Sequence, residues 1–444
     1  MKGAAISEND SLSSRTNCAV ERRKSLVSEF FNPEKDRHGI ILISIVFLIH
    51  SLLLCFVWLW YENIGINVFL LEKAISKQLR NREVTDEKNF TRRGKAVLKG
   101  KIPYKDFYLP TGPLMPYFYC GAPLMSQITP IHVTYWFRLL YSVFNAITSW
   151  AIYQGFKAEG EEYSRWGYQA GYLYGLNPLI IFMALIWGTD ETILAALIAL
   201  AAWQISRRSW FWASVLIIVG ACAKYFSIFL LPFLLLTRPS VIEGIILVAT
   251  NIFLILSTYG FFLLLAEDEA SIQFERFLLK APLEMKEDDG IWCFLEADGY
   301  FNIRDIPFPL YQILIIGIPM LLAFWIVFSQ RGDFTRMATP GLLFLLFYSK
   351  FQSSYLLIGL WGFIGSFKIR EQKLIPSLLV IFPIIVHGLT YEFLQELRTT
   401  IPVIFYFIFV LFYLAILGLI IWKILPKDIG FGETIPFKKS SKKS

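Results

Sequence analysis

A chain of 444 residues that is 55% hydrophobic and 17% aromatic, with a mean hydropathy of +0.52, is not a set of ordinary soluble domains. Its net charge of +7 is spread through loops and tails rather than along one soluble face, which excludes a nucleic-acid binder. Cys18, Cys55, Cys120, Cys222 and Cys293 show no paired spacing, so neither a disulfide framework nor a metal site is indicated.

Apolar runs recur at close to the ~20 residues that cross ~30 Å of hydrocarbon, where only helices and closed barrels satisfy their own backbone. The expected fold is therefore all-α, a polytopic membrane protein of about twelve transmembrane helices with both termini in the cytoplasm. Residues 1–38 form a polar cytoplasmic tail. A cleavable signal peptide is not expected, because the first apolar run starts late and is full length.

The first span is expected at 40–60, with Lys35 and Arg37 before it. A long external loop follows within 61–130. It carries partly amphipathic basic stretches expected to rest on the outer surface. Pro103, Pro110, Pro113, Pro116 and Pro123 break the next apolar stretch, so 113–127 reads as a juxtamembrane or re-entrant piece. Spans are then expected at 131–155, 166–187, 190–205, 210–224 with a hairpin at 225–236, and 241–265.

The loop 266–306 has eleven Asp or Glu against four Lys or Arg, a balance that suits the outer side. Residues 307–425 hold the C-terminal transmembrane helices, and 426–444 is a basic cytoplasmic tail. This topology puts several polar features on one outer side: the opening loop, Asp190-Glu191, Lys224-Tyr225, the acidic loop, and Lys350 with Tyr355.

Each has a plain structural reading. Asp190-Glu191 suits the N-terminus of the following helix, and Lys224 and Lys350 suit side chains snorkelling to the interface. Their occurrence on one side points instead to chemistry. Lysines in an outer cavity neutralise a phosphate, and a carboxylate beside them takes a proton from a hydroxyl. His387 also falls near the outer side, as a candidate phosphate contact.

Asp86-Glu87, Lys88-Asn89-Phe90, Gly100, Pro103-Tyr104, Asp106-Phe107 and Pro113-Leu114 together resemble the first external loop of GT-C superfamily glycosyltransferases that use polyprenyl-phosphate sugars, in the mannosyltransferase and aminoarabinose-transferase branch. Asn177-Pro178 and Gly188-Thr189-Asp190-Glu191 are similar to the second acidic motif. Lys224 followed by Pro232 is similar to the lysine-proline hairpin, and Lys350 through Tyr355 to the late Lys-x-x-x-x-Tyr segment. The resemblance runs over roughly 40–360 and makes 39–265 the catalytic module. Thr111-Gly112-Pro113 departs from the family's Tyr-Pro-Pro, and Asp190-Glu191 from its Gly-Gln-Asn.

The resemblance implies an inverting transfer of one sugar, a hexose such as mannose, from a polyprenyl or dolichyl phosphate to an acceptor hydroxyl outside the cytoplasm. Asp86 would be the general base. Lys224, Lys350 and His387 would hold the donor phosphate. Glu87, Tyr104, Asp106, Asp190, Glu191, Tyr225 and Tyr355 would line the acceptor or sugar pocket, with Asp106 as the second candidate base. No metal and no cofactor is implied. The partners would be the lipid-linked donor, membrane lipid and a glycan, lipid or protein acceptor, with the protein a monomer. Asp86 also admits a structural reading, pairing with Lys88, Arg92 or Arg93 on a helix surface. The competing class is a transporter or lipid-linked-sugar flippase, in which buried charges line a substrate path.

Overall fold

The computed structural model describes residues 36–59, 87–107, 109, 111–231, 234 and 241–266, together with isolated positions at 287–288, 310, 317, 321 and 350–351. Its contacts divide the chain into Met1–Ile41, described only at 36–41, and Leu42–Ser444, which holds everything considered below. The described residues are helical except for loops and turns and one two-residue parallel pairing, Glu287–Asp288 with Lys350–Phe351.

Among the described residues, two helices are long and apolar enough to cross a membrane. They are α1 (Arg37–Leu59) and, further along, a helix at Val241–Leu264; the apolar stretches within them are Arg37–Val57 and Ile242–Leu264. Only 22% of each crossing window is buried in the protein, and Leu52, Phe56, Phe253 and Leu256 stand exposed. Helices of this length and apolar composition suit a hydrocarbon surround, which associates the chain with a membrane.

Between these helices the chain runs through α2 (87–98), α3 (Met115–Tyr119), α4 (Gly121–Ile128), α5 (Val133–Glu159), α6 (Ser164–Gly175), α7 (Pro178–Phe182), α8 (Glu191–Ser206) and α9 (Trp210–Ala223), and Val241–Leu264 is α10. The long helix α5 is the axis of the packing. It lies against α6 and α8, α8 packs on α9, and α9 on α10. His50 of α1 is fully buried and its Nε2 donates to the Gly175 carbonyl oxygen at 2.8 Å, tying α1 to the end of α6.

The stretch 113–127 contains α3 and α4, of five and eight residues. At 1.5 Å per residue these reach about 8 and 12 Å, well short of a bilayer. The single span expected at 166–187 is instead broken. Helix α6 stops at Gly175, Asn177 Oδ1 accepts from Leu179 N at 3.0 Å, and Pro178 opens a new helix at a position where its missing N–H costs nothing. A wide turn at Met183–Trp187 then ends on Gly188, with φ +69°.

Candidate functional site

The site is assembled from four separated stretches. The first is the end of α9. A helix end leaves its last carbonyls without intrahelical partners. Here Gly112 N donates to the Ala223 carbonyl and Leu114 N to the Cys222 carbonyl, each at 2.9 Å, while the Tyr259 hydroxyl of α10 donates to the Ala221 carbonyl at 2.9 Å. Only glycine fits at 112, because a Cβ there would fall on the Cys222 carbonyl. The opening loop is thus stitched to the helix end that carries Lys224.

Lys224 follows in extended conformation, with φ −148° and ψ 141°. Its Nζ donates to Asp190 Oδ1 at 2.7 Å and to Glu191 Oε1 at 2.6 Å. Both carboxylates are buried, at 4% exposure. Asp190 stands at the N-terminus of α8 but makes no side-chain cap. Its second oxygen, Oδ2, accepts from the Tyr119 hydroxyl at 2.5 Å. Asp190 and Glu191 do stand at the N-terminus of α8, where acids suit the helix dipole, but Asp190 makes no side-chain cap there, and Lys224 donates to both carboxylates rather than snorkelling to the interface.

Tyr119 comes from α3 and is fully buried. Burial, and then the Asp190 carboxylate beside it, push its phenol well above the ordinary range, so it stays a hydrogen-bond donor at neutral pH. Its ring stacks on Phe90 of α2 at 4.6 Å and meets Phe137 of α5 edge-on at 6.1 Å. These contacts seat α2 beside the carboxylates.

At the start of α2, Glu87 Oε1 lies 2.6 Å from Arg138 Nη2 of α5, with both side chains under 5% exposed. Gly188 closes over this pair. Its left-handed backbone suits glycine, and a Cβ there would fall on the Arg138 guanidinium and Glu87 Oε1. Glu87, Arg138, Gly188, Asp190, Glu191, Lys224 and Tyr119 thus belong to one buried polar region inside an apolar helical body. Arg138 and Tyr119 were not singled out from the sequence. Arg138 had a signal, since an arginine inside an apolar run is costly unless paired. Tyr119 had none among so many aromatic residues.

The other expected site residues are placed differently. Tyr104 is 2% exposed, at φ 65°, and its hydroxyl donates to the Thr111 carbonyl at 2.5 Å while its ring packs with Leu109 and Phe262. Asp106 is exposed, and its Oδ2 accepts from Ile102 N at 2.6 Å, closing the tight turn that holds Tyr104. Tyr225 continues the backbone from Lys224 into a 3-10 turn, Tyr225–Leu230. Lys350 is described only by its backbone pairing with Glu287. Asp86, Tyr355 and His387 lie outside the described residues. Among the described residues, no group of three or more His, Cys, Asp and Glu is arranged to hold a metal ion.

Across the described residues the chain is a predominantly helical, membrane-associated protein with a buried carboxylate-lysine cluster. No protein-family model matches the chain, and no curated protein matches it.

Proposed function

We propose that this chain is an integral membrane glycosyltransferase of GT-C type, multi-pass with about twelve transmembrane helices, which moves one sugar from a polyprenyl or dolichyl phosphate to an acceptor hydroxyl on the extracytoplasmic side. The sugar is a hexose such as mannose. Asp86 takes the proton of the acceptor hydroxyl as the oxygen attacks the anomeric carbon. The new C–O bond forms on the face opposite the phosphate, the bond to the phosphate oxygen breaks, and polyprenyl phosphate leaves with the bonding pair.

The observation that carries this reading is the meeting of Lys224 with Asp190 and Glu191 beside the helix that begins at Glu87. Three stretches far apart in sequence supply a cation, carboxylates and the entry of the first loop to one place. A departing phosphate competes with the two carboxylates for Lys224, so the ammonium stabilises charge that develops as the bond to the sugar breaks. Buried charge among apolar helices also suits a substrate path, which keeps the transporter as the second reading.

The test uses purified full-length protein in liposomes with labelled polyprenyl-phosphate mannose and no ion gradient. Transfer to an acceptor, or release of the sugar, is expected. Asp86→Asn is expected to lower it by about a hundredfold or more while donor binding persists. Full turnover in Asp86→Asn would remove the base assignment. Movement of intact donor across the bilayer without cleavage would establish the transporter.

A further inference from the structure

The outer face of α2 carries a row of cations that the buried site does not use. Lys88, Arg92, Lys95 and Lys99 follow one another at spacings of four, three and four residues, which places them on one side of a helix. All four are exposed, whereas Glu87, Arg93 and Gly94 on the opposite side are buried. Lys101 and Lys105 extend the exposed row past the helix end. None of the six is ion-paired to a described carboxylate. Asp106, the exposed acid at the end of this stretch, is occupied by its own turn.

The level of this row relative to the bilayer follows from its packing. Tyr104 and Leu109 form a small core with Phe262, with Ile102 and Ala266 packed against it. Phe262 lies in the last turn of α10, a helix apolar enough to cross a membrane, on which Phe261 is 59% and Leu264 is 88% exposed. The apolar run of α10 ends at that turn and Glu267, Asp268 and Glu269 follow in the sequence, which sets the water boundary of a membrane-crossing α10 there. Lys101 and Lys105 flank Tyr104 at the same boundary, and the α2 row leads up to them.

We propose that the cationic face of α2, continued by Lys101 and Lys105, docks on anionic lipid headgroups of the leaflet into which the C-terminal end of α10 emerges. The inference rests on α10 crossing the bilayer and is independent of sugar transfer. A row of clustered cations at headgroup level is matched by the phosphates of anionic lipid, whose surface field attracts each nearby Lys or Arg. It also explains why an external loop carries so much positive charge, against the usual cytoplasmic bias.

The experiment purifies full-length protein from mixed micelles of phosphatidylglycerol and phosphatidylcholine and measures the retained lipids by mass spectrometry. The wild type is expected to retain phosphatidylglycerol in roughly tenfold preference or more at low salt, a preference that falls as salt rises. The variant K88Q/R92Q/K95Q/K99Q is expected to approach the bulk ratio, and K88R/K95R/K99R to match the wild type. Retention of both lipids at the bulk ratio by the wild type overturns the proposal, including the case in which the acidic stretch 266–306 occupies this face instead. A preference that survives in the glutamine variant overturns it equally. If the chain stays soluble without detergent and retains no lipid at all, the crossing of α10 fails and the proposal falls with it.

Discussion

Glu87 and Arg138 meet at 2.6 Å with both side chains buried, one in the first described turn of α2 and the other inside α5. The pair joins the opening loop to the helical body by a charge contact rather than by apolar packing alone. Removing Glu87 strands the buried Arg138 guanidinium, which costs about 3–5 kcal/mol at a buried site. Glu87→Met is therefore expected to lower stability by that amount in chemical unfolding, and Glu87→Met with Arg138→Met to recover most of it. A double variant as unstable as the single would show that the pair is not the cause.

Gly188 is expected to tolerate no side chain. A left-handed backbone costs a residue with a Cβ about 1–2 kcal/mol before any clash, and the Cβ would also displace the Arg138 guanidinium. Gly188→Ala should therefore destabilise the protein by more than the conformational cost alone. In the Arg138→Met background the penalty should shrink, because the nearer of the two groups it meets is gone. Equal penalties in the two backgrounds would separate Gly188 from the ion pair.

Tyr119→Phe removes the hydroxyl that donates to Asp190 Oδ2 and keeps the ring that stacks on Phe90. Hydrogen bonds to charged groups contribute about 1.5–3 kcal/mol, so a loss in that range is expected. The same substitution in an Asp190→Asn background should cost clearly less, which a double-mutant cycle on unfolding midpoints will read.

Lys224→Met leaves Asp190 and Glu191 adjacent, buried and without their shared cation. Stability is expected to fall by several kcal/mol, on the order of other broken buried pairs. Adding Asp190→Asn and Glu191→Gln should restore much of the fold. If Lys224 also neutralises the leaving phosphate, that restored triple variant should remain inactive, whereas Lys224→Arg keeps part of the transfer. An active triple variant would confine Lys224 to a structural part.

The amino-acid sequence carried the helical class of the described residues, the long apolar helices at Arg37–Leu59 and Val241–Leu264, and the break that prolines put into 113–127, since hydropathy, length and proline chemistry are local properties. It also marked Asp190, Glu191 and Lys224 as polar residues needing a reason, because charge beside apolar runs is costly wherever it lies. It did not separate capping and snorkelling from mutual pairing, and it carried the chain unbroken through 166–187, where Asn177-Pro178 starts a second helix. It took the packed helices to show that Lys224 faces both carboxylates, that Tyr119 donates to Asp190, and that Arg138 pairs with Glu87. Those choices depend on which helix faces meet across dozens of residues, and on loop backbone closing the exposed carbonyls of α9, neither of which leaves a periodic trace in the chain.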